Sequence, residues 1–218
     1  MINKTKYKYA FLLFIILINT SNVFSQITRS QIIGSYIYNF ANSIKWEDNS
    51  FETFHIILIS ADEEIKTEFI NLSNQKKIKN KNIRLTILQK PDKIVKNAQL
   101  IFITNDKLEY YMSVFDEIEG EEILLVSENF DNKSYVMLNL YDTDEETILF
   151  EINKPNIINQ NLGITDEILL MGGTEIDVAE IYLKSQHSLR SMEKQINDFK
   201  FQLDSLSNKI NNSNTQIV

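Results

Sequence analysis

The sequence predicts a layered α/β domain with a mainly parallel sheet and an edge hairpin, followed by a C-terminal coiled-coil helix. Continuous apolar runs, such as 56–59 and 100–103, alternate with polar segments that are compatible with helices. Such runs are typical of strands covered on both faces, and the alternation favours a parallel sheet. The third observation is a heptad spacing of apolar residues near the end of the chain, which is typical of coiled coils.

The first predicted element is a helix that begins just after Thr28, because Thr28 and Gln31 fit a capping box. Its apolar residues recur at steps of one, three and four, which indicates one broad buried face. These residues are Ile32, Ile33, Tyr36, Ile37, Phe40, Ala41 and Ile44. Trp46, the only tryptophan, is predicted to end the helix before an acidic turn.

Six strands and several helices are predicted after this turn. The strands are Phe54–Ser60, Ile83–Leu88, Leu100–Thr104, Ile123–Ser127, Tyr135–Tyr141 and Thr147–Ile152, and the helices are Glu63–Asn74, Pro91–Asn97, Lys107–Ile118 and Ile164–Met171. The last two strands are joined by the acidic loop 142–146, which predicts an antiparallel hairpin at one sheet edge. Gly172 and Gly173 indicate the stop of the last of these helices.

Residues 1–25 are predicted to be a secretory signal peptide. Lys4, Lys6 and Lys8 precede an apolar run over 10–18, and a cleavage site is expected between Ser25 and Gln26. The apolar run is shorter than the ~20 residues of a membrane-spanning helix. An uncleaved N-terminal anchor is the alternative. The sequence therefore predicts an exported, periplasmic protein.

Composition narrows the classes of partner. The chain has no cysteine and a net charge of −8, and removal of a signal that carries three lysines leaves −11. An acidic chain repels nucleic acid and anionic membranes, so neither is an expected partner. Without disulfides the mature protein depends on its core, and its length suits one main domain, residues 26–176, with an extension.

The sequence contains few of the residues and motifs that are typical of catalytic sites. His55 and His187 are the only histidines, and no nucleophile elbow, phosphate loop or metal-ligand spacing occurs. The acidic cluster 62–64 follows the first strand at the sheet edge where ligands bind in open α/β folds. Its simpler interpretation is that Asp62 caps the next helix. The sequence thus predicts a protein that is not an enzyme, with no cofactor and no metal.

Residues 177–210 are predicted to form a coiled coil. The apolar residues Leu189, Met192, Ile196, Phe199, Leu203, Leu206 and Ile210 are spaced alternately by three and four. We expect the first six of them to be self-association contacts in a parallel homodimer; a helix folded back on the domain is the alternative. Glu193 and Lys200 are the main flanking charges, and residues 211–218 are expected to be a disordered tail.

Two segments resemble the YfiR-like family of periplasmic regulators. The string Tyr36-Ile-Tyr-Asn-Phe-Ala-Asn-Ser-Ile-Lys-Trp46 is similar to the family's opening motif, with Tyr38, Asn39, Phe40 and Trp46 at motif positions. Phe150-Glu-Ile-Asn153, with 162–165 and 169–170, is similar to its closing segment. The resemblance covers about residues 30–178, and packing is the expected role of the motif residues. The lack of cysteine departs from relatives that carry redox-linked thiols.

The resemblance implies a non-enzymatic regulator that binds and restrains an inner-membrane diguanylate cyclase, and so limits cyclic-di-GMP. An alternative is the extracytoplasmic sensor input of a histidine-kinase-type system, in which the coiled coil leads toward a membrane kinase. The chain then either acts through a separate partner or is the front end of a longer sensor. A third alternative binds a small ligand in an apolar pocket near 60–62 and 104–106, where strands end.

Overall fold

The computed structural model describes residues 27–47, 50–91, 96–145 and 147–216. The predicted export signal lies outside these ranges. Most of the predicted short helix Pro91–Asn97 lies outside them too, as do residues 217 and 218.

Five parallel strands form the centre of an eight-stranded sheet. From one edge to the other, the strands are β3 (Lys77–Ile78), β4 (Lys81–Leu88), β2 (Thr53–Ile59), β5 (Leu100–Ile103), β6 (Leu124–Glu128), β7 (Leu138–Asp142), β8 (Ile148–Ile152) and β10 (Gly173–Glu175). A separate antiparallel pair joins β1 (Ile44–Trp46) to β9 (Leu162–Ile164). The predicted fold class, a mainly parallel α/β sheet with a long C-terminal helix, is confirmed.

Helices cover both faces of this sheet. They are α1 (Arg29–Ser43), α2 (Glu63–Gln75), α3 (Tyr111–Glu117) and α4 (Lys154–Asn159), with 3-10 helices at Asn105–Tyr110 and Asp166–Met171. The last helix, α5 (Val178–Gln216), follows the sheet and does not cover it. On one face, Phe69 of α2 stacks on Phe102 of β5 with ring centroids 5.6 Å apart. On the other face, Tyr111 of α3 contacts the side chain of Ser127. Val126 is in register with Phe102 and shares its face, so the next residue, Ser127, points to the opposite face.

Helix α1 is anchored by aromatic contacts to β8. The ring of Phe150 lies 5.5 Å from that of Tyr36 and 4.8 Å from that of Phe40, both edge to face. The Tyr36 hydroxyl also donates a hydrogen bond of 3.0 Å to the Ile148 carbonyl. Aromatic pairs of this geometry add about 0.5–1.5 kcal/mol each beyond the burial of their surface. The two motif segments, far apart in sequence, therefore contact each other directly.

The predicted end of α1 at Trp46 is wrong by three residues. The helix ends at Ser43, and Trp46 belongs to the short strand β1. Pairing with β9 gives the backbone groups of residues 44–46 their hydrogen-bond partners once the helix has ended. The Trp46 indole packs edge to face on Phe54 at 5.2 Å and donates from Nε1 to the Glu122 carbonyl at 2.8 Å. The predicted capping box of Thr28 and Gln31 is confirmed.

The hairpin of β7 and β8 is antiparallel as predicted, but it does not lie at the sheet edge. Strand β10 pairs with β8 in parallel and forms the edge instead. A Cβ atom at Gly173 would lie 2.2 Å from the Phe150 ring, so only glycine permits this approach. A three-residue strand fixed by such a contact has no periodicity of its own to detect.

Three further helix boundaries differ from expectation. The predicted helix Ile164–Met171 begins as strand β9 and becomes a 3-10 helix only at Asp166. Its predicted stop is confirmed, because Gly172 adopts the left-handed conformation with φ 96°. The predicted helix Lys107–Ile118 begins as the 3-10 helix at Asn105. Helix α5 continues to Gln216, through most of the predicted disordered tail.

Trp46→Ala is expected to destabilise the fold by about 3–5 kcal/mol, because a large buried side chain is lost and a cavity remains. Trp46→Phe keeps a buried ring but removes the donor to Glu122, and should cost about 1 kcal/mol. Chemical unfolding of both variants measures these losses. Unchanged stability of Trp46→Ala together with lost regulatory activity would instead assign Trp46 to a binding surface.

Candidate functional site

A polar cleft opens at the carboxyl ends of β2, β5 and β6. It has a volume of about 520 Å³ and is lined by Arg29, Ala61, Asp62, Thr104, Asn105, Asp106, Glu128, Asn129 and Asp142. The chain leaves β2 toward β4 on one side and returns to β5 on the other. The cleft therefore lies at the topological switch point, where ligands bind in open α/β sheets.

Arg29, the first residue of α1, bridges two carboxylates in this cleft. Its Nη2 donates to Oε1 of Glu128 and, at 2.9 Å, to Oδ2 of Asp142. Glu128 is almost fully buried, with 3 % of its side chain exposed. Its second oxygen accepts from the Asn105 backbone N–H at 3.0 Å. The buried charge is thus compensated by the start of α1 and by the loop after β5.

The charges of this bridge raise one pKa and lower another. Burial lowers the pKa of Arg29, but hydrogen bonds to Asp142 and Glu128 outweigh burial, so the net pKa is raised. Burial raises the pKa of Asp142, but hydrogen bonds from Arg29 and Asn129 outweigh it, so the net pKa is lowered. Because the pKa of Asp142 in the folded protein is lower than its ordinary value of 3.8, ionised Asp142 stabilises the fold at pH values above 3.8. This contribution is lost as the pH falls through the lowered pKa.

The other two acidic residues of the cleft, Asp62 and Asp106, accept hydrogen bonds from backbone N–H groups. Asp62 caps α2 by accepting from the N–H groups of Glu64 and Ile65, as the simpler interpretation of the acidic cluster predicts. Asp106 accepts from the Ala61 N–H at 2.8 Å and from the Thr104 hydroxyl. The cleft occupies the predicted position near 60–62 and 104–106, but its lining is polar and acidic instead of apolar.

The two histidines lie apart from the cleft. His55 is buried, and its Nε2 lies 2.8 Å from the Thr86 hydroxyl. Burial and the nearby charge of Arg84 lower the pKa of His55. His187 is exposed on α5. Among the described residues, no cluster of histidine and carboxylate side chains could hold a metal ion.

The motif residues have different surroundings. Phe40 and Phe150 are fully buried and Trp46 nearly so, while Tyr38 is half-buried and Asn39 is exposed. Asn153, also buried, caps α4 by accepting from the Asn156 N–H, and its Nδ2 donates to the Lys133 carbonyl at 3.1 Å. Apart from Asn39, these residues lie within the packing of the domain.

The expected self-association residues of α5 form an exposed apolar stripe. Leu189, Met192, Ile196, Phe199, Leu203 and Leu206 are each between 52 % and 66 % exposed. From 178 to 207, only Ile181 and Gln186 are partly covered. The side chain of Ile210 lies outside the described residues. In the single chain, this stretch of α5 does not fold back on the domain.

A polar row across three strands is a feature that sequence reasoning missed. Ser127, Asn139 and Glu151 are in register on the sheet face opposite α1. Asn139 accepts from the Ser127 hydroxyl at 2.8 Å and donates to Glu151 at 2.6 Å. Lys133 donates to the same Glu151 oxygen. The only sequence signal is a polar residue inside each of three neighbouring strands.

Arg29→Met should destabilise the fold by about 1–3 kcal/mol, because Glu128 would remain buried without its charged partner. The double variant Arg29→Met/Glu128→Gln should recover part of that loss. Urea unfolding at pH 7 measures both. Equal losses in the single and double variants would contradict a role of Arg29 in compensating Glu128.

The comparisons with known proteins agree with this architecture. The family model described as YfiR/HmsC-like matches residues 30–172, which span the sheet apart from its edge strand β10 and include the helices that pack on it. None of the curated proteins matches the sequence. Within the described part of the chain, no helix combines the length and apolarity needed to cross a bilayer. The family is known for periplasmic regulation of cyclase signalling. The chain belongs to the YfiR/HmsC-like family.

Proposed function

We propose that this protein is a non-enzymatic periplasmic regulator that binds and restrains an inner-membrane diguanylate cyclase. Membership of the YfiR/HmsC-like family supports the regulatory role and the type of partner. The α/β domain provides the partner surface, and a homodimer formed through α5 sets the geometry of the complex.

The observation that supports the proposed homodimer is the exposed apolar stripe of α5. Its six apolar side chains repeat with the three-four spacing of a heptad seam, and each is more than half exposed in the single chain. The opposite faces of the helix carry mostly polar residues, so the stripe is the surface that a second helix would cover. A parallel pair buries the stripe of each copy against that of the other.

A regulator of this kind needs only a difference in affinity between two states of its partner. A ligand shifts an equilibrium by no more than its differential affinity, and a tenfold shift corresponds to about 1.4 kcal/mol. Contacts between surfaces supply such a difference without a catalytic group. The function therefore depends on the presented surfaces and on the relative position of the two copies.

The second candidate is the extracytoplasmic input region of a histidine-kinase-type sensor. The continuity of α5 favours it, since one helix of 39 residues leads away from the domain. A helix of that length can pass on a rotation or a shift of the domain to a following module. In both candidates, the stripe joins two copies.

Ile196→Asp should convert the dimer to a monomer, because it places a charge in the middle of the apolar seam. Analytical ultracentrifugation of mature protein, residues 26–218, measures the association constant. Asn197→Asp introduces the same charge one residue outside the seam and should leave the dimer intact. A dimer of undiminished affinity for Ile196→Asp would remove the coiled coil from the proposal.

Deletion of the gene should raise cellular cyclic-di-GMP, because the restrained cyclase is released. Expression of the full chain should restore the lower level, whereas residues 26–218 without the export signal should not, since they remain in the cytoplasm. Quantification of cyclic-di-GMP in cell extracts tests this. An unchanged level after deletion would contradict restraint of a cyclase.

A further inference from the structure

Strand β4 has an open edge along most of its length. On one side β4 pairs with β2 over seven residues, from Asn82 to Leu88. On the other side β3 covers only Lys81 and Asn82. Residues 84–88, the open edge, pair on that side with no strand among the described residues, whereas Ile83 lies opposite Lys76 at the end of the short ladder. At about 3.3 Å per residue, the residues of the open edge leave roughly 17 Å of strand available.

The hydrogen-bonding groups on this edge can be assigned from the register. The Leu88 carbonyl accepts from the Ser60 N–H at 3.0 Å, so Leu88 directs its backbone groups toward β2. In a parallel strand pair, alternate residues share this direction. The backbone groups of Ile83, Leu85 and Ile87 therefore point away from the sheet. Their half-buried side chains lie on the face that packs against α2.

The stretch of chain that contains the open edge is basic, although the protein as a whole is acidic. Between residues 69 and 91 the chain contains no aspartate or glutamate, and its cations there are Lys76, Lys77, Lys79, Lys81, Arg84 and Lys90. Lys76, Lys77 and Arg84 are exposed. Burial, and to a smaller extent the charge of Lys45, lowers the pKa of Lys79. The rest of the chain carries the opposite excess, since the net charge is −8.

We propose that the open edge of β4 binds an extended, acidic polypeptide segment of a partner protein, which adds to the sheet as a new strand. Backbone hydrogen bonds to Leu85 and Ile87 provide the alignment, and carboxylates of the segment face exposed cations such as Lys77 and Arg84. This interaction does not depend on the identity of the membrane partner proposed above.

Two other occupants match the open edge less well than an acidic strand does. A second copy of β4 would bring two basic edges together, and like charges facing one another are unfavourable. An anionic lipid surface matches the charge but provides no strand for the unpaired N–H and C=O groups. An acidic strand satisfies both features at once.

Three synthetic seven-residue peptides with valine at alternate positions and glutamate, serine or lysine between them test this proposal. Amide hydrogen exchange of the mature chain, followed by NMR, should be fast at Leu85 and Ile87 without peptide. The glutamate peptide should slow exchange at these two amides and bind about tenfold or more tightly than the lysine peptide.

Two matched controls separate strand addition from charge attraction. Methylation of alternate peptide nitrogens in one register should weaken binding about tenfold, because it removes edge hydrogen bonds, whereas methylation in the other register should not. Lys77→Glu should weaken binding of the glutamate peptide, while Lys194→Glu, an equal charge change on α5, should not.

Slow exchange at the amides of Leu85 and Ile87 in the free protein would overturn the proposal. If dilution then restored fast exchange, the occupant would be a second copy. Equal binding of all three peptides would remove the charge argument, and binding of phosphatidylglycerol vesicles but of no peptide would assign the patch to a membrane surface.

Discussion

The packing of α1 on the sheet is the interaction on which the rest of the structure depends. Tyr36 and Phe40 enclose the ring of Phe150, and Gly173 allows β10 to lie against the same ring. One aromatic cluster thus joins the start of the domain to its end. The same helix carries Arg29 to the buried carboxylate of Glu128. Loss of the cluster would separate α1 from β8 and leave a buried charge without its partner at the cleft.

The parallel order of the sheet then determines where the surfaces of the protein lie. The reversal between β2 and β5 opens a cleft at their carboxyl ends, but internal hydrogen bonds to Arg29, Asn105 and Ala61 already occupy most of its carboxylate oxygens. The cleft connects α1 with three loops of the sheet. Surfaces with fewer internal partners lie elsewhere, on the stripe of α5 and along the open edge of β4.

Features encoded by local periodicity could be predicted from the sequence. The face of α1, the apolar strands β2 and β5, the cap at Asp62 and the stop at Gly172 each depend on neighbouring residues. Features that depend on residues distant in the sequence could not be predicted in this way. The pairing of β1 with β9 and the position of β10 are set by tertiary contacts of three-residue strands. The bridge from Arg29 to Glu128 joins residues 99 positions apart, and nothing near either one indicates the other.

A dimer formed through α5 would present two copies of the domain, each with an open basic strand edge, in a fixed relation. Binding at the domains and association of the helices would then be coupled, because each constrains the other. The central claim is that this protein acts by binding an inner-membrane signalling protein. In-cell cross-linking of the tagged mature protein, with identification of what co-purifies from the membrane fraction, tests it most directly. Recovery of an inner-membrane cyclase is the predicted result; recovery of the protein alone, under conditions that capture its dimer, would contradict the claim.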